Sequence, residues 1–517
     1  MRPLVWALVL LGCGARTTLD PGGPRATDSG VDSARDSALP DGGFDSGFDS
    51  GVDSGFDGGF DGGFDGGVDA AVGDPCLADR ECGAARCRLD TRVMSADLAP
   101  AVLVCTDEEV GADDGAFCET GDECSRGLCL IAGTCVRPCI DDGDCDDGDA
   151  CRDVFARTSP RAHQPYRGCV ARVNAHPRVD VSEENLGRLR GTPTIELAGV
   201  GNRALYVIES SEGQPLAVNR LTANDPAGTL LFDIFSLEPG GERSLNPVAP
   251  FLEPLTVLIP NSRTSVVTGA GYEAMLEVGR RTDLSLTRLE TSGRRGRFLD
   301  IDIFYVGGGR FAPSGDRGPP AVADALDQLE EIWGFSIGDV RQHTVIGGLR
   351  RRFETLEADG MGSLPELPEV FALTAGIGRP SLAIFLLRDM ETALGISGGI
   401  PGPWGMHGIG GSGVAVSVDA LSMLPPGFDV TLGTVIAHEA GHFFGLFHTT
   451  EPTGVVGNPL TDVPACPPSA DVDGDGFLLP TECAGFGAQN IMFWAGVGAN
   501  TSAQQRQLVR ETFLLRR

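Results

Sequence analysis

The sequence predicts a multidomain chain: a disordered acidic tether, a run of disulfide-rich repeats, an all-β sandwich, and an α+β domain with a mixed sheet. Three observations carry that prediction. The first 150 residues hold long Asp/Gly tracts, which cannot bury a core. The fifteen cysteines are clustered rather than scattered. Apolar residues alternate with period two over residues 180–292, then mix strand and helix spacing from Arg297 to the end. A chain of 517 residues has room for roughly three or four domains.

A net charge of −32 excludes one class of partner. Nucleic-acid binding needs a basic footprint, and this chain is acidic; its 40 basic residues are all Arg, with no lysine. The apolar content of 41% is enough for a sizeable core in the later domains.

Residues 1–12 carry one Arg and the apolar run Leu4-Val5-Trp6-Ala7-Leu8-Val9-Leu10-Leu11. That run is too short to span a bilayer and reads as a signal segment. It ends in Leu10-Leu11-Gly12-Cys13, which resembles a bacterial lipoprotein signal. The resemblance implies cleavage before Cys13, lipidation of its sulfur and attachment to a membrane. With Gly14 next, it implies the outer membrane or cell surface; without lipidation the chain would be extracellular. Residues 13–74 form the tether, with a four-residue repeat in Phe44-Asp45-Ser46-Gly47, Phe48-Asp49-Ser50-Gly51 and Phe56-Asp57-Gly58-Gly59. Charge repulsion and glycine keep such a segment extended.

Residues 75–170 hold three units of four cysteines: Cys76, Cys82, Cys87, Cys105; Cys118, Cys124, Cys129, Cys135; Cys139, Cys145, Cys151, Cys169. Even numbers suit disulfides and an oxidising compartment, and zinc ribbons would want Cys-x-x-Cys pairs, which do not occur. Two bridges per unit is the simplest pairing, with three connectivities open. Residues 180–292 are expected to form the sandwich, from strands such as Ala204-Leu205-Tyr206-Val207-Ile208, Leu230-Leu231-Phe232-Asp233-Ile234 and Leu255-Thr256-Val257-Leu258-Ile259. This part shows no chemistry: a carbohydrate- or protein-binding module, a pro-segment and a packing partner of the α+β domain all stay open, the last being the plainest.

In the α+β domain, residues 297–517, a strand is expected at 299–306. A helix comes next from Pro320, with Val322, Leu326, Leu329 and Trp333 on one face and Gly334 as its stop. Further strands are expected at 340–346, 382–387 and 413–418, the last as the sheet edge. A second helix starts at about Val430, with Asp429 as N-cap. Residues 502–514 are expected to close the domain as a helix.

That second helix carries His438-Glu439-Ala440-Gly441-His442-Phe443-Phe444-Gly445-Leu446-Phe447-His448. His438 and His442 are one turn apart and face the same way, so both imidazoles can reach one ion. Gly445 lets the chain leave the helix in a left-handed turn, and His448 can return as a third ligand. Three neutral imidazoles leave the fourth tetrahedral position of a zinc ion open to water, as catalytic sites do. A core helix with chance histidines is the bland alternative, in a chain with only 7 His.

The motif and the element order resemble the metzincin zinc metalloproteases. Gly445-Leu446-Phe447-His448-Thr449 and Thr461-Asp462-Val463-Pro464-Ala465-Cys466 resemble the pappalysin type. The resemblance covers residues 297–517. It implies zinc on His438, His442 and His448, Glu439 as general base, and Met492 of Asn490-Ile491-Met492-Phe493 as a Met-turn beneath the imidazoles. It implies a protein or peptide substrate. One departure stands out: several metzincin types place a Tyr two residues after that Met, and here it is Trp494. Phe493 and Trp494 are expected to line the pocket beyond the scissile bond. His407 is expected at the surface rather than as a fourth ligand; His163, His176 and His343 have no partner pattern.

Asp471, Asp473, Asp475 and Glu482 fit the spacing of a twelve-residue calcium loop. The prolines around it argue against flanking EF-hand helices, and Cys466 and Cys483 could close a loop about it. The resemblance to pappalysins, where calcium braces this region, points the same way. The function expected is thus a zinc endopeptidase. The rival is a surface adhesion lipoprotein whose zincin-like scaffold has little activity.

Overall fold

A computed structural model describes residues 71–517 apart from 73, 90–101, 108–110, 160–161, 176–178, 200–202, 211–215, 224–253, 260–270, 292–295, 308–310, 359–363, 392, 423–429, 455–457, 459 and 497. The expected signal segment, Cys13, the expected tether, the expected strand over 230–234 and the expected cap Asp429 lie outside the described residues. No helix among the described residues is long and apolar enough to cross a membrane.

The cysteine units all choose one connectivity, first to third and second to fourth: Cys76–Cys87 and Cys82–Cys105, Cys118–Cys129 and Cys124–Cys135, Cys139–Cys151 and Cys145–Cys169. The residue before each second cysteine is acidic. Its carboxylate accepts the N–H of the residue after the first cysteine: Leu77 to Glu81 at 2.6 Å, Glu119 to Glu123 at 2.8 Å, Ile140 to Asp144 at 2.7 Å. That turn explains the constant first gap. The third unit extends into a hairpin of β1 (Asp149–Ser159) and β2 (Ala162–Ala171).

The next β region is β3 (Val179–Gly191), β4 (Thr194–Leu197), β5 (Ala204–Ser210), β6 (Leu216–Ala223), β7 (Leu255–Ile259) and β8 (Tyr272–Thr291). It is all-β as expected, and its described strands join as one antiparallel sheet. The order is β6-β8-β5-β7, with β3 and β4 also paired to β8. The long β8 is the reason: its first half pairs β4 and β6, and its second half, past an irregularity between Val278 and Thr282, pairs β3 and β5. An inner core of Ile195, Tyr206, Ile208, Val257, Tyr272 and Leu276 fills the bend.

The α+β domain runs β9 (Phe298–Tyr305), α1 (Pro320–Trp333), β10 (Ser336–Thr344), α2 (Gly347–Phe353), α3 (Leu367–Ala372), β11 (Leu382–Leu387), β12 (Gly395–Ser397), β13 (Val414–Ser417), α4 (Val418–Ser422), α5 (Leu432–Phe443), α6 (Ala503–Arg510) and β14 (Leu515–Arg516). The mixed sheet has the order β10-β9-β11-β13-β12, with β14 on the start of β9. From β10 to β13 the neighbours are parallel, and β12 runs antiparallel to β13. The expected edge at 413–418 is therefore wrong: β13 is interior, and the edge on that side is the three-residue β12. The closing helix is also shorter than expected, because the last residues turn back as β14.

Alternating side chains divide the sheet's faces. Ile301, Ile303, Ile384 and Val416 pack on α1 and α5; Phe304, Phe385 and Ala415 pack on α2 and α3. Gly334 stops α1 at φ 71° as expected. Asp302 on β9 does not face water. It is buried between His343 Nε2 (2.8 Å) and Arg379 Nη2 (3.3 Å). Burial pushes its carboxyl up, but His343 and Arg379 outweigh that and hold it at about 2.

Both accessory regions pack on this domain. Phe155 of β1 meets Phe353 edge-on at 6.2 Å, and the Thr134 hydroxyl donates to the Gly376 carbonyl at 2.6 Å. On the β region's outer face, Leu205, Val207, Leu258 and Leu289 belong to the same core as α1 and α5. Each such side chain contributes about 1.5–3 kcal/mol by burial, so together they approach the roughly 5–15 kcal/mol of a whole domain. A fragment starting at Arg297 should therefore melt far below the full chain or without a cooperative transition. Calorimetry of the two would show it, and equal melting temperatures would rule out this packing contribution.

Candidate metal centre

The helix α5 begins with a capping box. Thr431, not Asp429, is the N-cap: its hydroxyl accepts the Thr434 N–H at 3.1 Å while the Thr434 hydroxyl accepts the Thr431 N–H at 2.9 Å. Two helix glycines let neighbours close in. A Cβ on Gly433 would meet Gln328 Oε1 at 2.1 Å, and one on Gly441 would meet Met492 Sδ at 2.4 Å and Trp333 at 2.9 Å. The Trp333 indole donates to the Ala437 carbonyl at 3.0 Å. The helix ends as a Schellman turn: Gly445 takes φ 97°, Gly445 N–H donates to His442 O (2.8 Å), and Leu446 N–H donates to Gly441 O (2.9 Å). That turn swings His448 back to the other two histidines.

The three rings meet at one point. Nε2 of His438 lies 3.1 Å from Nε2 of His442 and 3.2 Å from Nε2 of His448, and the last two are 3.1 Å apart. Each Nδ1 is held by an acceptor: His438 by Ile491 O (2.6 Å), His442 by Leu446 O (2.7 Å), His448 by Glu451 Oε2 (2.9 Å). A carbonyl or carboxylate can only accept, so each Nδ1 carries the proton and each Nε2 presents a lone pair. Three lone pairs facing one another repel unless a cation lies between them. Three nitrogens about 2.0–2.1 Å from one tetrahedral ion stand about 3.3–3.4 Å apart. The residues present therefore fit a metal ion. Burial holds His438 down to about 3, helped by His448, and holds His442 well below its ordinary value. For His448, burial also pushes down, but Glu451 and then Glu439 raise it above its ordinary value.

Glu439 is 1% exposed, and it stands near enough for its charge to act on His448. The Met492 segment buttresses the site from the other side. Thr449 N–H donates to Met492 O at 2.8 Å, and Asn490 and Gln505 exchange amide hydrogen bonds at 2.9 and 3.0 Å, tying this turn to α6.

Two expectations fail here. Phe493 and Trp494 are buried in a core of their own with Leu478 and the Cys466–Cys483 bridge, and the Trp494 indole donates to Leu478 O at 2.8 Å. His407 is not at the surface. It is buried, bonded to the Arg379 carbonyl at 3.0 Å, and burial holds it down to about 4. His343 has the partner Asp302 that its sequence context did not suggest. Sequence reasoning missed Glu451, Asn490 and Gln505. Only Glu451, three residues after His448, left a readable trace.

Asp471, Asp473 and Glu482 bring carboxylate oxygens within 4.8 Å of one another, while Asp475 does not join them. These carboxylates also accept loop N–H groups: Asp471 from Gly474 and Gly476, Glu482 from Val472 and Leu479.

No protein-family model and no curated protein matches this chain. Among solved structures, the metallopeptidase IMPa from Pseudomonas aeruginosa, in complex with an O-glycopeptide, aligns at 15% identity over 56% of this chain and 32% of that one, with a TM-score of 0.13. A family two carbohydrate esterase from Cellvibrio japonicus aligns at 12% identity over 33% and 53%, with a TM-score of 0.07. The chain thus spans about a third of the metallopeptidase's length. Likeness at this level carries no argument about the site, which stands on its own geometry.

Replacing Glu451 by Gln keeps the shape but removes the charge behind His448. Outer partners of this kind typically govern metal affinity by about 10–100-fold. Glu451→Gln should weaken metal binding within that range, measured by chelator competition; unchanged affinity would remove Glu451 from the site.

Proposed function

We propose that this chain is a zinc-dependent endopeptidase of the metzincin type. The observation that carries the proposal is the convergence of three Nε2 lone pairs, each set by a hydrogen bond at its own Nδ1, beside the buried carboxylate of Glu439. The mixed sheet with one antiparallel edge strand beside α5 supports it. The pappalysin-like assignment rests on Gly445–Thr449 and Thr461–Cys466 in the sequence.

When bound, zinc lowers the pKa of a coordinated water and polarises a carbonyl. The chain's own groups do the rest. His438, His442 and His448 would hold the ion, with tautomers fixed by the acceptors at their Nδ1 atoms. Glu439 takes the proton of the attacking water and hands it to the leaving amine as the peptide bond breaks. An extended peptide pairs by backbone hydrogen bonds along β12. The Trp494 indole is committed to Leu478 and cannot replace the absent Tyr as a donor to the oxyanion.

The lipoprotein reading belongs to this proposal. Cys13 would anchor the chain at the outer membrane or cell surface, with the acidic tether between anchor and enzyme. Glu439→Ala should keep fold and metal while cleavage of a denatured protein falls at least ~100-fold. Equal cleavage by mutant and parent would end the general-base assignment and leave the adhesion reading.

We also propose calcium at Asp471, Asp473 and Glu482, with Asp475 outside the ligand set. Excess calcium chelator, with zinc retained, should lower the melting temperature by several degrees, since a bound ion stabilises by mass action. A melting curve that does not move would leave the loop held by its own hydrogen bonds.

A further inference from the structure

The edge strand β12 crosses α5 where Glu439 stands. Gly395 pairs with Val416 of β13, and its φ lies outside the left-handed region. The backbone therefore does not require glycine at this position. Space does. A Cβ on Gly395 would lie 2.6 Å from Glu439 Cγ and 2.8 Å from Glu439 Oε1, with Val435 Cγ1, one turn earlier on the helix, also at 2.8 Å. Carbon atoms in ordinary contact are about 3.5–4.0 Å apart. The volume that any other residue would fill is occupied by the Glu439 side chain.

We propose that Gly395 is a positioning residue for Glu439. The missing side chain at this one strand position sets where the carboxylate stands relative to the three imidazoles and to a peptide on β12. The inference rests on the reading of Glu439 as general base. An Ala at 395 can be accommodated if α5 retreats, if β12 shifts, or if the Glu439 and Val435 side chains swing. The helix is held by the Trp333 bond to Ala437, the close approach of Met492 at Gly441 and the His438 bond to Ile491, and the strand by its pairing with β13. Glu439 therefore swings, by about 1 Å, and a misplacement of that size costs on the order of 10²-fold in rate. No metal ligand is among the three atoms nearest the new Cβ.

The test is a double-mutant cycle on the full chain with two readouts. In the first, Gly395→Ala should lower kcat by about 10–100-fold, with KM and zinc affinity, by chelator competition, each within about threefold. In the second, independent of activity, the melting temperature of the metal-free protein should fall in Gly395→Ala. Adding Glu439→Ala should recover more of that loss, relative to Glu439→Ala alone, than adding Val435→Ala does relative to Val435→Ala alone. Unchanged kcat in Gly395→Ala overturns the proposal, and so does a melting coupling that runs entirely through Val435. The general-base reading fails separately, if Glu439→Ala by itself still cleaves. In that case the melting cycle still reports whether the two side chains compete for one space.

Discussion

Three nitrogen lone pairs brought within 3.2 Å of one another constrain everything around them. Left alone, such a cluster would relax by rotating a ring or by protonation. Rotation is closed at all three rings, and charge is opposed at two of them. Each ring is pinned at its far nitrogen by Ile491, Leu446 or Glu451, and burial opposes charge on His438 and His442. Three acceptors from three segments are needed because one helix can aim only two imidazoles at a point. The third ring arrives through the Gly445 turn, and its carboxylate partner comes from beyond that turn. The site is thus an agreement among α5, the turn after it and the Met492 segment.

Small residues make that agreement sterically feasible. Gly433 and Gly441 let α1 and Met492 close on α5, and Gly395 leaves room for Glu439 beneath the edge strand. Around this centre the accessory regions act as walls. β7 sets Leu258 against the Gly445 turn, and its Thr256 hydroxyl donates to the Pro401 carbonyl beyond β12. The segment after the cysteine units donates Asn174 N–H to the Gly405 carbonyl at 2.6 Å. The loop between β12 and β13 is therefore gripped from both sides by parts of the chain that carry no chemistry. That explains how a stretch so rich in glycine is buried along almost its whole length.

Where the sequence misled, the reason was local. Val414–Ser417 has the stronger strand composition, so it looked like the edge; β12 is three residues long, and its place depends on pairing rather than propensity. Asp302 is a charged residue within a buried strand, and Arg379 arrives from a distant loop to cover it, which no local pattern shows. Phe493 and Trp494 come after Met492 in sequence and seemed bound for the same pocket. The Cys466–Cys483 bridge instead gathers them into a core of their own.

The sequence by itself determined the three histidines, the glutamate between them, the glycine that turns the chain back, and the grouping of cysteines into three like units. These are spacing rules of one helix, one turn or one repeat, so neighbours along the chain suffice to state them. The tertiary structure alone decided which cysteines pair, which strand forms the edge, and which groups hold the outer nitrogens of the rings. It also decided that residue 395 must lack a side chain. Those depend on atoms far apart in sequence, such as Gly395 with Glu439 and His438 with Ile491, whose meeting is set by packing that no local pattern encodes.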